Sequence, residues 1–165
     1  MYNAKKRSRA NFDRQAAIYD TASFGAHARK LYPILLAQLA QIPHRWVLDV
    51  GCGSGILGIA AAKLGAGKCY LTDIDPVAVA SAQHNAEVNG VAERVTVAHS
   101  DLLEHADVRG DVVLANITAE ILTRLAPSVP QNLKAGGTLI LSGIIADRLP
   151  LVTEAYHAQG LKLCR

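Results

Sequence analysis

The sequence predicts one α/β domain built on a doubly wound, mainly parallel sheet, and three observations carry that expectation. Short apolar runs alternate with stretches of helical periodicity from residue 46 onward. The run Trp46 to Val50 is continuously apolar except for Asp49, as suits a central strand covered on both faces. It leads into a glycine-rich turn and then a helical pattern, the start of a right-handed crossover. At 165 residues, half of them hydrophobic, the chain can bury roughly 70% of its unfolded surface, enough for one core. Few aromatics are present, so that core should be aliphatic.

Taken in order, residues 1–45 read as a basic, helical leader. Lys5, Lys6, Arg7, Arg9 and Arg14 crowd its start against the single acid Asp13, and account for much of the net charge of +3. Residues 12–24 suggest a short helix plus loop. Tyr32, Leu35, Leu36, Leu39 and Ile42 then recur at helical spacing until Pro43.

The domain proper spans 46–165. After the strand at 46–50, a helix is expected over 54–64, with Ile56, Ile59, Ala60 and Lys63/Leu64 as its buried stripe and Gly65 as a left-handed terminator. A second strand occupies 68–74. Asp75 and Pro76 begin the next helix, the acid as N-cap and the proline where its missing N–H costs nothing; Asn89-Gly90 end it. Residues 94–98 form a third strand, followed by Ser100-Asp101 and a brief turn. Strand four is 111–115, a helix follows over 118–125, Gly136-Gly137 turns the chain, and strand five is 138–141. A last helix over 146–159 precedes 161–164, where a sixth strand would start, so the closing antiparallel hairpin of such a sheet is expected to be missing.

Cys52, Cys69 and Cys164 lack a metal-like spacing, as do the six histidines, and there is no signal-peptide core or membrane-length apolar run. A reduced, cytoplasmic protein without a metal site is expected. The basic start is a solvated tail or, failing that, a nucleic-acid contact.

The ligand of the glycine turn is decided by its charges. Gly53 to Gly58 spells GxGxxG with Asp73 at about the distance of a ribose-binding acid, so a dinucleotide-dependent oxidoreductase must be considered. A carboxylate from Asp49 at the mouth of such a turn would repel a pyrophosphate by a few kcal/mol at intermediate dielectric. It would attract a cation. S-adenosylmethionine carries a sulfonium and an α-ammonium, no phosphate, and a ribose whose two hydroxyls want a bidentate acceptor. Asp49 near its methionine end and Asp73 on its ribose match it in charge and spacing. Ile74 offers an apolar face to adenine, Asp101, with Leu102 beside it, can accept from the adenine amino group, and Asn116 at the end of strand four would face the reactive methyl. Plainer roles exist: Asp101 capping the turn after it, Asp75 acting only as helix cap, Cys52 filling the loop rather than attacking a substrate, and Asn116 satisfying its own backbone.

The stretch VLDVGCGSGILGIAAAKLGAGKCYLTDIDPVAVASAQHNAEVNGV, followed by VVLANITAEIL and GGTLILSGI, resembles the class I methyltransferases that use S-adenosylmethionine. More narrowly it is similar to the bacterial enzymes that methylate the eleventh large-subunit ribosomal protein on lysine and amino-terminal amines. The resemblance covers residues from about 46 to the end. It implies a Rossmann-like methyltransferase sheet, cofactor contacts from Gly51, Asp73 and Asn116, and a loop shaped by Asp49, Gly53 and Gly55, with Cys52 inside it. The leader departs from that family: His27 is followed by Ala28-Arg29-Lys30 instead of Pro-Thr-Thr, and it looks more like the amino-terminal helices of small-molecule methyltransferases. The expected activity is methyl transfer to a protein amine, with a small-molecule acceptor, an NAD-binding oxidoreductase and a non-catalytic binding module as alternatives. ANIT lacks the aromatic that would stack on a flipped base, which argues against DNA-adenine methylation.

Overall fold

The computed structural model describes residues 33–34, 37–42, 44–104 and 106–164. The basic arm, the 12–24 helix, and Tyr32, Leu35, Leu36 and Pro43 of the leader lie outside these residues; 33–34 and 37–41 are helical as the spacing predicts. The sheet lies in the compact unit Leu39–Arg165.

Five strands, β1 (Trp46–Val50), β2 (Lys68–Asp73), β3 (Val95–His99), β4 (Gly110–Asn116) and β5 (Leu133–Ser142), run in the order β3-β2-β1-β4-β5. Every pairing is parallel. The helices that follow β1 are α1 (Ile56–Lys63), α2 (Pro76–Val88), α3 (Ala119–Leu125), α4 (Val129–Asn132) and α5 (Leu149–His157). Strand order reverses between β1 and β4, the topological switch at which open α/β sheets bind ligands.

The core explains the apolar runs. Leu48, Val50, Val113 and Ala115 point to one face and pack with Leu122, Leu125, Val129, Val152 and Tyr156 from the helices after β4 and β5. Each wholly buried Leu or Val contributes about 1.5–3 kcal/mol relative to exposure. The opposite face carries Asp49 and Leu71, which are register partners. There Leu71 approaches Gly58 so closely that a Cβ on that glycine would lie 2.6 Å from the leucine Cδ1. That contact lays α1 flat on the sheet.

It also rotates the helix from its expected orientation. Leu57, Gly58, Ile59, Ala61 and Ala62 are the buried residues of α1, whereas Ile56 and Leu64 stand exposed. The helix starts at Ile56 rather than Ser54, because the turn consumes Ser54 and Gly55 before helical hydrogen bonding begins. The second helix starts as its sequence predicts: Asp75 Oδ1 accepts the Val77 N–H at 2.9 Å, with Pro76 at the first position.

Strand five differs most. It begins at Leu133, so Gly136-Gly137 lies inside it as a bulge. Between the pairs Gly110/Leu133 and Val112/Thr138, β4 advances two residues while β5 advances five. The Lys134 ammonium pairs with Asp111 at 2.7 Å beside the bulge. The short α4 and the turn of helix before it, which contain Pro127 and Pro130, are absent from the sequence reading. Among the described residues, 161–164 form no strand.

Candidate active site

Because all five strands are parallel, their carboxyl ends share one edge, bringing Val50, Asp73, His99, Asn116 and Ser142 into a row. The glycine turn is suspended from β2 across this edge. The Gly51 and Cys52 N–H groups both donate to the Thr72 carbonyl at 2.9 Å. Gly53 N–H donates to Asp73 Oδ2 at 2.8 Å, and Asp75 N–H to Asp73 Oδ1 at 2.9 Å. Gly55 N–H closes the turn onto the Cys52 carbonyl at 2.8 Å, and the Asn85 amide on α2 donates to the Ser54 carbonyl at 2.9 Å.

Asp49 is 2% exposed, and its Oδ2 accepts the Gly58 N–H at 2.9 Å from within α1, whose first turn has no side-chain cap. Burial pushes its carboxyl from the ordinary 3.8 up to about 7, with the negative Asp73 adding to the rise and the Gly58 hydrogen bond opposing it. An acid that titrates near neutrality thus lies buried behind the turn. Burial, reinforced by Asp49 and Asp73, raises the Cys52 thiol far above its usual range. A neutral thiol is a poor nucleophile, which agrees with the loop-filler role.

On the β3 side, Ile74 is 60% exposed at the rim, and the His99 ring contacts its carbonyl through Nε2 at 2.9 Å. Ser100 N–H donates to the Asp73 carbonyl at 3.0 Å, tying the turn after β3 to the end of β2. Asp101 does not cap that turn with its side chain; its Oδ2 pairs with the Arg124 guanidinium of α3 at 2.9 Å. Leu102 follows at φ 55°, a left-handed conformation costly for a branched side chain, and packs against the core.

On the β4 side, Asn116 ends its strand opposite Ser142. The next residue, Ile117, is wedged between two glycines. A Cβ on Gly51, at φ 68°, would lie 2.5 Å from Ile117 Cγ2, and one on Gly143, at φ 82°, would lie 2.7 Å from the Ile117 carbonyl oxygen and 3.2 Å from Asn116 Oδ1.

The structure therefore gathers Asp49, Gly51, Cys52, Gly53, Gly55, Asp73 and Asn116 at one edge, with Ile74, Asp101 and Leu102 extending it past β2. Sequence reasoning missed Thr72, Asn85, Arg124 and Gly143. The first three act through a backbone carbonyl or through tertiary neighbours and leave no local signal. Gly143 is different: a glycine directly after an apolar strand is a readable sign of close approach. Among the described residues no cluster of acids, cysteines or histidines could hold a metal ion, and no helix is long and apolar enough to cross a membrane.

Comparison with known proteins adds the lineage. The family described as Ribosomal protein L11 methyltransferase (PrmA) matches residues 25–165. The ribosomal protein L11 methyltransferase of Pelotomaculum thermopropionicum is 45% identical over 140 residues, which are 85% of this chain and 46% of that protein. The crystal structure of a ribosomal protein L11 methylase from Lactobacillus delbrueckii subsp. bulgaricus superposes with a TM-score of 0.71 at 36% identity, covering 79% of this chain and 71% of that one. A methyltransferase from Geobacter sulfurreducens, solved in complex with S-adenosyl-L-homocysteine, gives a TM-score of 0.55 at 28% identity over 66% of this chain and 47% of that one. The chain spans about half the length of the curated relatives it matches. A family match over residues 25–165, joined to 45% identity over 85% of the chain and to the shared fold, has one meaning: the chain belongs to the ribosomal protein L11 methyltransferase family.

Proposed function

We propose that this chain carries the S-adenosylmethionine-binding and methyl-transfer part of a cytoplasmic methyltransferase whose acceptor is an amine nitrogen of a protein such as a ribosomal protein. In this reading residues 46–165 are the catalytic domain and 1–45 a leader to it. The observation that carries it is the pair of carboxylates at the glycine turn, Asp49 behind the Gly58 N–H and Asp73 at the rim. A phosphate ligand would meet both charges, while a cationic one is drawn to them. Similarity to a protein solved with S-adenosyl-L-homocysteine supports the same ligand.

The donor set fits that cofactor. Each Asp73 oxygen accepts one backbone N–H and keeps a lone pair, so the carboxylate can still take two ribose hydroxyls. Asp49 supplies the countercharge for an ammonium, Ile74 an apolar edge for adenine, and Asp101 an acceptor for the adenine amino group. Gly51, Cys52, Gly53 and Gly55 bring backbone close to the ligand, with Leu102 below the adenine acceptor. When bound, S-adenosylmethionine supplies a methyl group already activated by the sulfonium. The protein then has to align the acceptor and keep the site dry. An acceptor lysine, with a solution pKa of about 10.4, must arrive neutral. Asn116 orients it through the side-chain oxygen, helped by the Ala115 or Asn116 carbonyl, and the proton leaves to water.

Titration calorimetry tests the ligand class. S-adenosylhomocysteine is expected to bind and NAD to bind far more weakly; tighter binding of NAD would sink the reading.

A further inference from the structure

The adenine end of the proposed site contains a contact that cofactor binding alone does not require. Asp101 sits in a turn whose backbone is already fixed at both ends. Ser100 N–H is bonded to the Asp73 carbonyl at 3.0 Å, and Glu104 N–H to the Asp101 carbonyl at 3.1 Å. The Ser100 hydroxyl donates to the Glu104 carbonyl at 2.7 Å, and the left-handed Leu102 turns inward to the core. What the turn leaves free is the Asp101 side chain, 31% exposed and able to rotate. Arg124, reaching from α3, takes Oδ2 at 2.9 Å. One guanidinium N–H on Oδ2 restrains the rotation of the carboxylate and leaves Oδ1 with both lone pairs.

We propose that Arg124 is a positioning residue that aims Asp101 at the amino group of the adenine, making this chain selective for a 6-aminopurine nucleoside. The inference rests on the proposed cofactor site. α3 begins three residues after Asn116, so the same helix that follows the transfer residue also reaches the adenine acceptor. Both side chains remain partly in water, so the pair is a modest device: it removes rotational freedom before the ligand arrives and adds no contact of its own to the purine.

The test compares two ligands on the full chain by calorimetry: S-adenosylhomocysteine and its analogue with unsubstituted purine in place of adenine. Four proteins are needed: the native chain, Arg124→Met, Arg124→Lys and Asp101→Ala. The native protein should prefer the adenine ligand. Arg124→Met should lower that preference by about threefold, the range of an exposed ion pair, with binding of the purine analogue unchanged, and Arg124→Lys should restore part of it. High salt should erode the preference of the native chain and not that of Arg124→Met, because an exposed pair is screened. An equal weakening of both ligands in Arg124→Met would assign the pair to stability alone and overturn the proposal. So would an unchanged preference in Arg124→Met while Asp101→Ala loses it, with the adenine acceptor left intact. An unchanged preference in Asp101→Ala removes the adenine acceptor itself, and absence of S-adenosylhomocysteine binding to the native chain removes the cofactor reading; both overturn the proposal, and each is distinct from the failure of Arg124.

Discussion

Along the edge of the sheet, the corner between β1 and β2 is held by hydrogen bonds from backbone N–H groups to carboxylates, whereas the corner between β4 and β5 is held by close fit around Ile117. In the first, Asp73 ties Gly53 to Asp75 and Asp49 receives Gly58. In the second, Gly51 and Gly143 stand where any side chain would strike Ile117. The difference follows from the work proposed for each. A cationic, hydroxyl-bearing cofactor calls for oriented charge, and the charges organise the loop before the ligand comes. A methyl transfer calls for alignment within fractions of an ångström, which packing against rigid backbone supplies better than flexible polar groups.

Three perturbations sharpen the contrast. The steric corner should respond most. Gly143→Ala places a Cβ 2.7 Å from a backbone carbonyl at φ 82°, so the chain should lose about 3 kcal/mol of stability in denaturant unfolding. Binding of S-adenosylhomocysteine to the folded fraction should change little, and a large loss of affinity there would mean that the two corners are not separable.

Asp73→Ala should come next. It frees two N–H groups of the loop as well as the proposed ribose acceptor, and about 2 kcal/mol of affinity for S-adenosylhomocysteine should go in calorimetry. Unchanged affinity would remove Asp73 from the site.

The smallest effect is graded by pH. Asp49 titrates near 7 in the free protein instead of 3.8, so it is largely protonated at pH 5 and ionised at pH 8. Affinity for S-adenosylmethionine should therefore rise with pH up to about 7, by about tenfold in all, and flatten above it. Asp49→Asn should abolish the slope. Folding runs the other way. The folded state holds the proton more tightly than the unfolded chain, so Asp49's contribution to stability is greatest below pH 3.8 and is lost as pH rises through about 7. A pH-independent affinity in the native chain would show that Asp49 does not face a cation.

The electrostatic corner was the legible one. An acid breaking an apolar run, and another ending the next, are unusual enough in strands to be noticed, and both stand at the strand positions expected, although Asp49 is buried behind the Gly58 N–H rather than at the mouth of the turn. The steric corner was only half visible. Asn116 could be named from its place after VVLA, but that Ile117 lies between Gly51 and Gly143 depends on three strand ends meeting that are 26 or more residues apart in pairs. Arg124 was invisible for the same reason: it lies on a helix with ordinary periodicity, and only the packing of α3 brings it to Asp101.

The sequence by itself determined the alternation of strands and helices, the glycine turn with its two acids, and the cap that starts α2, because each is governed by neighbours within a few residues. The tertiary structure alone decided which face of α1 is buried, how far β5 extends through its bulge, and what each polar side chain at the site touches. Those depend on contacts such as Leu71 against Gly58 and Arg124 against Asp101, whose partners are distant in the chain and whose strength comes from closeness that no local pattern encodes.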